Sequence, residues 1–287
     1  MSALTVRIDP HVHSEGSYDA DDPVELILEQ AAEIGLDAVV ITDHDVIHES
    51  IRAAQLAPMY GLVGIPGVEV STADGHLLAL GVEELPPRRR PLDETAQWVR
   101  DRGGVAIVPH PFQRSRHGIR KRKLAKYHDT NAGDAFDAIE TYNSWLFTGY
   151  KNRRARRFAS NRMYPGVAGS DAHKVGYVGR AYTEIEIPDV TRASLSGDDI
   201  LDAIRSGSTR VQGRRTPIPT STKHYVGAAG RKSAYYAKRG ALTSGVLAKK
   251  GAIKSAYLAR VGALKSGYLA KEGAIRGAQL LARLSPL

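Results

Sequence analysis

Leu4-Thr5-Val6-Arg7-Ile8-Asp9-Pro10-His11-Val12-His13 is an apolar, strand-like run that ends in two histidines one residue apart. Successive side chains of a strand point to opposite faces, so His11 and His13 face the same side and both imidazoles can reach one ion. Taken alone the pair is weak evidence, because a polar strand end has the same look. Four later strand-like runs end in the same kind of residue. Ala38–Thr42 leads into Asp43 and His44, Val63–Val68 into Glu69, Val105–Pro109 into His110, and Val167–Ser170 into Asp171 and His173. Five strand ends carrying imidazole and carboxylate are the arrangement expected of a metal site at the C-terminal mouth of a parallel barrel.

Between these runs the sequence reads as helix. Asp22-Pro23-Val24-Glu25 looks like a start, with Asp22 at the N-cap, Pro23 at the first helical position and Glu25 at the third, and Gly35 ends the segment. Ile47–Met59 and Leu92–Asp101 are further helices, and Ser196-Gly197-Asp198-Asp199 caps a last one running to about Gly207. Strands alternating with helices through short connections predict parallel pairing and right-handed crossovers. With Ala135–Tyr142 and the alternating Ala181–Ile187, seven strands are expected, one short of the usual barrel. Gly75–Gly81 adds a short strand with His76 at its start.

The chain has 287 residues, 42% of them hydrophobic, enough for one barrel-sized domain and an appendage. Cys is absent, which excludes disulfides and thiolate metal sites and makes a reducing compartment the simpler expectation. No signal-like segment and no run of about 18 apolar residues occurs, so a cytoplasmic protein without a transmembrane segment is expected.

The net charge of +9 is unevenly placed. Residues 223–287 hold 13 Lys or Arg against Glu272 alone, a net of +12, whereas the rest of the chain has 27 basic and 30 acidic residues, a net of −3. We therefore read residues 1–213 as the catalytic body, the Pro-rich 214–222 as a linker and 223–287 as a basic tail. The tail contains an 11-residue repeat, Lys232–Leu242, Thr243–Ile253, Lys254–Leu264 and Lys265–Ile275. Eleven residues make three helical turns, so each copy presents the same residue at the same azimuth. A basic helix of this kind is expected to meet nucleic acid or an anionic membrane surface, or else to pack its small face on protein.

Nine residues are candidate metal ligands: His11, His13, Asp19, His44, Glu69, His76, His110, Asp171 and His173. They are too many for one ion. Imidazole and carboxylate without Cys suit zinc, manganese or iron as divalent ions and do not suit a Ca²⁺ cage. Two or three ions sharing Glu69 would activate water near neutral pH and clamp phosphoryl oxygens, which makes phosphate ester hydrolysis the natural reaction. A basic segment, Arg114, Arg116, Arg120, Lys121, Arg122, Lys123 and Lys126 with His117, follows four residues after His110. It is either a solvated helix face or a rim that attracts phosphate, with Arg114, Arg116 and His117 as candidates to hold the substrate phosphate.

Taken as a set, His11-Val12-His13, Ile41-Thr42-Asp43-His44-Asp45, Gly67-Val68-Glu69-Val70-Ser71, His76 in Gly-His-Leu-Leu-Ala-Leu-Gly, Pro109-His110-Pro111 and Gly169-Ser170-Asp171-Ala172-His173 resemble the polymerase and histidinol phosphatase (PHP) family over about residues 5–187. The resemblance implies a distorted seven-stranded α/β barrel with a trinuclear metal centre that hydrolyses phosphate esters. It further implies that His11, His13, Glu69 and Asp171 serve a first ion, Glu69, His76 and His110 a second, and His44 and His173 a third. Glu69, Asp171 and His173 are the expected catalytic residues. Relatives often carry a ligand where this chain has Tyr18; here Asp19 or Glu15 would take that part. The chain is most similar to nucleotide phosphoesterases and 5′–3′ exonucleases, with a small-molecule phosphatase such as histidinol-phosphatase as the alternative. From another class, a catalytically weak scaffold with a membrane- or nucleic-acid-binding tail would have lost metal ligands, and a carbon-centre amidohydrolase would show a Lys at a strand end; neither mark is present.

Overall fold

In the computed structural model, which describes residues 3–130, 135–145 and 149–220, the opening run is β1 (Ala3–Val12). Leu4, Val6 and Ile8 alternate with exposed Thr5 and Arg7 before the strand becomes wholly buried from Ile8 onward. The chain continues through α1 (Val24–Glu33), β2 (Ala38–Ile41), α2 (His48–Leu56), β3 (Gly67–Ser71), β4 (His76–Leu80), α3 (Leu92–Arg100) and β5 (Val105–Val108). Then come α4 (Lys121–Thr130), β6 (Ala138–Asn143), α5 (Gly149–Asn161), β7 (Gly166–Gly169), β8 (Ala181–Pro188), α6 (Gly197–Ser206) and β9 (Thr209–Gly213). The expected tail helix, residues 223–287, lies outside the described residues, and no helix among the described residues is long and apolar enough to cross a membrane.

The seven strands expected to close one barrel are divided between two sheets, of order β2-β1-β8-β9 and β3-β4-β5-β6-β7. Where the sheets meet, single bridges replace a ladder: His44 with Glu69 and Val12 with Ala172. The reason is local. Asp45 and Asp171 have φ of 54° and 53°, a left-handed backbone that cannot prolong a strand. Parallel pairing is also only partial. β1 pairs parallel with β2, and β5, β6 and β7 pair parallel in turn, but β3/β4, β4/β5, β1/β8 and β8/β9 are antiparallel. The four residues Thr72–Gly75 between β3 and β4 allow a hairpin and are too few for a crossover helix.

Two other readings change in detail. Helix α1 starts at Val24 without a side-chain cap, because the Asp22 carboxylate instead accepts from the Val175 N–H at 2.6 Å. The Ile47–Met59 segment divides into α2 and a tight turn, Ala57–Tyr60, carrying Pro58. Helix α6 has the expected box: Ser196 Oγ accepts from Asp199 N–H at 3.2 Å and Asp199 accepts from Ser196 N–H at 2.9 Å, with Gly207 at φ 81° ending the helix.

Three apolar layers hold this frame. Ile8, Val40, Leu78, Leu80, Ile107, Val167 and Ile185 fill the space enclosed by the strands and below α6. α3, α4 and α5 cover the outer face of the five-stranded sheet with Leu92, Leu124 and Phe158, and α1 and α2 cover β1 and β2. Each fully buried Leu or Ile contributes about 1.5–3 kcal/mol. The polar strand ends are thus set on a rigid apolar floor.

Candidate metal centre

All nine histidine, aspartate and glutamate candidates are buried and converge at one end of the strands. His11 and His13 leave β1 on the same face, and their Nε2 atoms lie 3.2 Å apart. Glu69 in β3 and His76 at the start of β4 are diagonal neighbours across the hairpin, Ser71 pairing with His76 and Glu69 with Leu78. His110 follows β5 and Asp171 and His173 follow β7; His110 and Asp171 hold φ of 27° and 53°. Strained backbone of this sort is retained where it aims a functional side chain.

Whether these atoms fit an ion can be judged from their spacing. His11 Nε2 and His13 Nε2 stand 3.6 and 3.5 Å from Glu69 Oε2, and 3.6 and 3.4 Å from Asp171 Oδ1. With the 3.2 Å between the two imidazoles, His11 and His13 form with Asp171 a group close enough to share one ion, and His11 forms another with Glu69 and His110. Glu69 turns its other oxygen elsewhere. Its Oε1 is 2.7 Å from His76 Nδ1 and 2.9 Å from His110 Nε2, while Oε2 is 3.0 Å from His44 Nδ1. Asp19 Oδ2 lies 3.2 Å from both His44 Nε2 and His173 Nε2. Among the described residues, four overlapping groups could each hold an ion: His11/His13/Asp171, His11/Glu69/His110, His44/Glu69/His76 and His13/Asp19/His44/His173.

Electrostatics sort the imidazoles into two kinds. Burial lowers His13 to about 3 and His76 to about 4, leaving both neutral with a lone pair to give. Burial would raise Glu69, Asp19 and Asp171, yet neighbouring imidazoles, and Arg116 in the case of Asp171, hold all three well below the carboxylate range. Burial likewise opposes charge on His44, but Glu69 and Asp19 lift it to about 10; Asp171, Glu140 and Glu69 lift His11 well above its ordinary value. The protons on His11 and His44 balance part of the buried carboxylate charge, a part that divalent ions would take over.

Of the three residues considered for phosphate, Arg116 reaches the cluster. Its guanidinium pairs with Asp171 Oδ2 and its Nη2 donates to His173 Nε2 at 3.5 Å. His117 stacks on His76 with ring centres 5.0 Å apart, and Arg114 is exposed on the adjacent groove. Asp19 is inside the cluster and Glu15 is exposed; Tyr18 stacks on His44 at 4.9 Å.

Sequence reading missed the carboxylates behind the cluster. Glu140 in β6 accepts from His11 Nδ1 at 3.0 Å, from His110 N–H at 2.6 Å and from Asn143 Nδ2 at 2.9 Å. The first bond fixes the His11 tautomer so that Nε2 faces the centre. His173 is fixed likewise, its Nδ1–H donating to the Asp171 carbonyl at 2.7 Å. Asp9 accepts from Ser170 N–H at 2.9 Å and Gly179 N–H at 2.8 Å, tying the end of β1 to the segment after β7, and Asp43 accepts from Ser14 N–H at 2.7 Å. Burial raises Asp9 to about 6 and Asp43 to about 7. Glu140 and Asp9 carry no spacing signal; Asp43 ends an apolar run beside His44 and carries the same signal as the nine candidates, but its carboxylate supports the Ser14 backbone.

Known proteins share parts of this sequence and fold. The PHP domain matches residues 9–142 and a PHP-associated region matches 149–209. An uncharacterised protein of Methanocaldococcus jannaschii is 26% identical over 246 residues, 81% of this chain and 95% of its own. The phosphoribosyl 1,2-cyclic phosphate 1,2-diphosphodiesterase of Eggerthella lenta is 40% identical over 85 residues, 28% of this chain and 32% of its own. In fold the chain is similar to a two-domain Bacteroides vulgatus protein containing a predicted PHP-like metal-dependent phosphoesterase, with TM-score 0.60, 20% identity, and coverage of 74% of this chain and 66% of that one. The chain belongs to the PHP family and is a metal-dependent hydrolase acting on phosphoric ester bonds.

Proposed function

We propose that the protein hydrolyses phosphate esters of nucleotides or oligonucleotide 5′ ends, using two or three divalent ions of manganese, zinc or iron held by His11, His13, Asp19, His44, Glu69, His76, His110, Asp171 and His173. The observation that carries this reading is Glu69, whose two oxygens face different imidazole groups, Oε1 toward His76 and His110 and Oε2 toward His11, His13 and His44. Divalent ions bound there supply Lewis acidity toward a phosphoryl oxygen and lower the pKa of water. The chain's own residues do the rest. Arg116 offers a planar fork of donors to the phosphoryl group, beside Asp171, which Asn143 orients by donating at 2.9 Å. His173 presents Nε2 on the same side, and its Nδ1–H bond to the Asp171 carbonyl keeps that atom turned toward the centre, where it would hold an ion.

The choice of a nucleotide rests on charge. α4 exposes Lys121, Arg122, Lys123 and Lys126, and α5 exposes Arg153, Arg156 and Arg157 without an acidic residue in the helix. The basic tail, 223–287, carries a net charge of +12 that suits nucleic acid or anionic lipid. A second reading, hydrolysis of a small sugar phosphate or phosphodiester, is favoured by the similarity to the Eggerthella diphosphodiesterase. A substrate panel run with metal-loaded protein separates the two. On our reading 5′-phosphorylated oligonucleotides exceed nitrophenyl phosphate in kcat/KM and their KM rises with salt. A salt-insensitive enzyme preferring sugar or amino-alcohol phosphates establishes the second reading instead.

A further inference from the structure

A groove of about 490 Å³ opens beside the centre between the β3–β4 hairpin and the segment that leads into α4. His76 belongs to both: its Nδ1 is 2.7 Å from Glu69 while its residue also lines the groove, together with His117, Arg114, Arg120 and Lys123. The walls are fitted closely. His76 N–H donates to His117 carbonyl at 3.0 Å, a Cβ on Gly75 would stand 2.6 Å from that same oxygen, and a Cβ on Gly118 would stand 2.4 Å from the His110 carbonyl. Gly75 has φ 150° and His117 φ 56°, so both turns are specified by backbone shapes that few residues adopt.

Charge in the groove is unbalanced. Among the described residues Asp74 is the sole acid in its lining, and its carboxylate is already engaged by Tyr127 Oη, by Lys123 Nζ and by the Leu92 N–H at 3.0 Å. Arg114 and Arg120 have no carboxylate within ion-pair distance among the described residues. Lys123 shares its charge with Asp74, so the guanidinium groups of Arg114 and Arg120 are the cations left over in the lining, and an anion in the groove balances them. We propose that this groove binds a second phosphoryl group of the substrate, distinct from the one hydrolysed, through Arg114, Arg120 and Lys123. The inference rests on the phosphoesterase reading above and deepens it, because it makes the enzyme selective for esters whose leaving portion carries its own phosphate. A substrate with its reacting group at Glu69 and Asp171 extends past His76 and His117 to reach these cations. Asp74 holds Lys123 in place and joins it to the hairpin that bears His76.

Two measurements on the full-length, metal-loaded protein test this. The first is KM for a 5′-phosphorylated dinucleotide and for the matching mononucleotide, in the wild type and in R120Q/K123Q. The second is equilibrium binding of a phosphorothioate dinucleotide by titration calorimetry, which reads the groove whether or not turnover occurs. Wild type is expected to show at least tenfold lower KM for the dinucleotide, and R120Q/K123Q to bring the two KM values within about twofold and to weaken calorimetric binding at least tenfold. The charge-conserving R120K/K123R is expected to restore most of the preference. Equal KM values in the wild type, or a preference and a binding constant unchanged in R120Q/K123Q, overturn the inference while leaving phosphoesterase activity standing. Dinucleotide binding that depends on Arg120 and Lys123 without hydrolysis of either ester supports the groove and overturns the reaction assigned to the centre.

Discussion

Glu140→Gln is the substitution that most sharply separates a buried support from a spectator. One Glu140 oxygen accepts from His11 Nδ1 at 3.0 Å, and the other from His110 N–H at 2.6 Å and Asn143 Nδ2 at 2.9 Å. Gln keeps the shape but owns a single acceptor oxygen, so its amide N–H₂ must face either the His11 Nδ1–H or the two donors on the other side. Each arrangement loses a charge-assisted bond and buries a donor against a donor, a penalty of about 1.5–3 kcal/mol. The cheapest escape is for His11 to shift its proton to Nε2, which removes the lone pair that faces Asp171 and Glu69. Metal affinity is therefore expected to fall roughly 10–100-fold, the usual effect of removing an outer carboxylate. The assay is calorimetric titration of metal-stripped protein with Mn²⁺ and Zn²⁺, with thermal unfolding alongside to verify the fold. Affinity within about twofold of the wild type, in a folded protein, would refute the assignment of Glu140 as the group that fixes His11.

Arg116→Ala is expected to lower kcat/KM on a phosphomonoester about 10²-fold, with Arg116→Lys recovering only part because an ammonium lacks the planar fork; a loss below about threefold in steady-state kinetics removes Arg116 from phosphate binding. Ser196→Ala removes the cap of α6, which carries none of the site residues, and should cost about 1 kcal/mol in urea unfolding without change in metal content. Deleting residues 223–287 should leave turnover of a mononucleotide within about twofold and reduce the affinity for long polyanions. Loss of folding on that deletion would make the tail part of the body, and the charge argument for a separate anionic partner would fail.

Much of the centre was legible because strand period and residue type act together. His11 and His13 lie two apart on β1, and His44, Glu69, His110, Asp171 and His173 sit at or just beyond the ends of apolar runs, whereas His76 begins its strand and Asp19 lies in the loop after His13. Glu140 was not legible: it is one acid within a buried strand, and its partner His11 is 129 positions away. Asp9 is alike, joined to Ser170 across 161 positions. Strand direction was hidden for a different reason. β3 is buried through Val70 and β4 along its whole length, as parallel strands are, and only the shortness of Thr72–Gly75 marks the hairpin. The break between sheets depends on left-handed backbone at Asp45 and Asp171, which an aspartate adopts more readily than most residues but which no local pattern dictates.

The most direct measurement is metal content by elemental analysis of wild type and Glu69→Gln purified without added ions, paired with hydrolysis of a 5′-phosphorylated nucleotide. An amide at position 69 cannot supply the negative charge that both of its faces share, so the wild type should carry at least about two equivalents of metal per chain and Glu69→Gln at least one fewer, with rate reduced about 10²-fold or more. Equal metal content and equal rate in the two proteins would contradict a multinuclear centre built around Glu69.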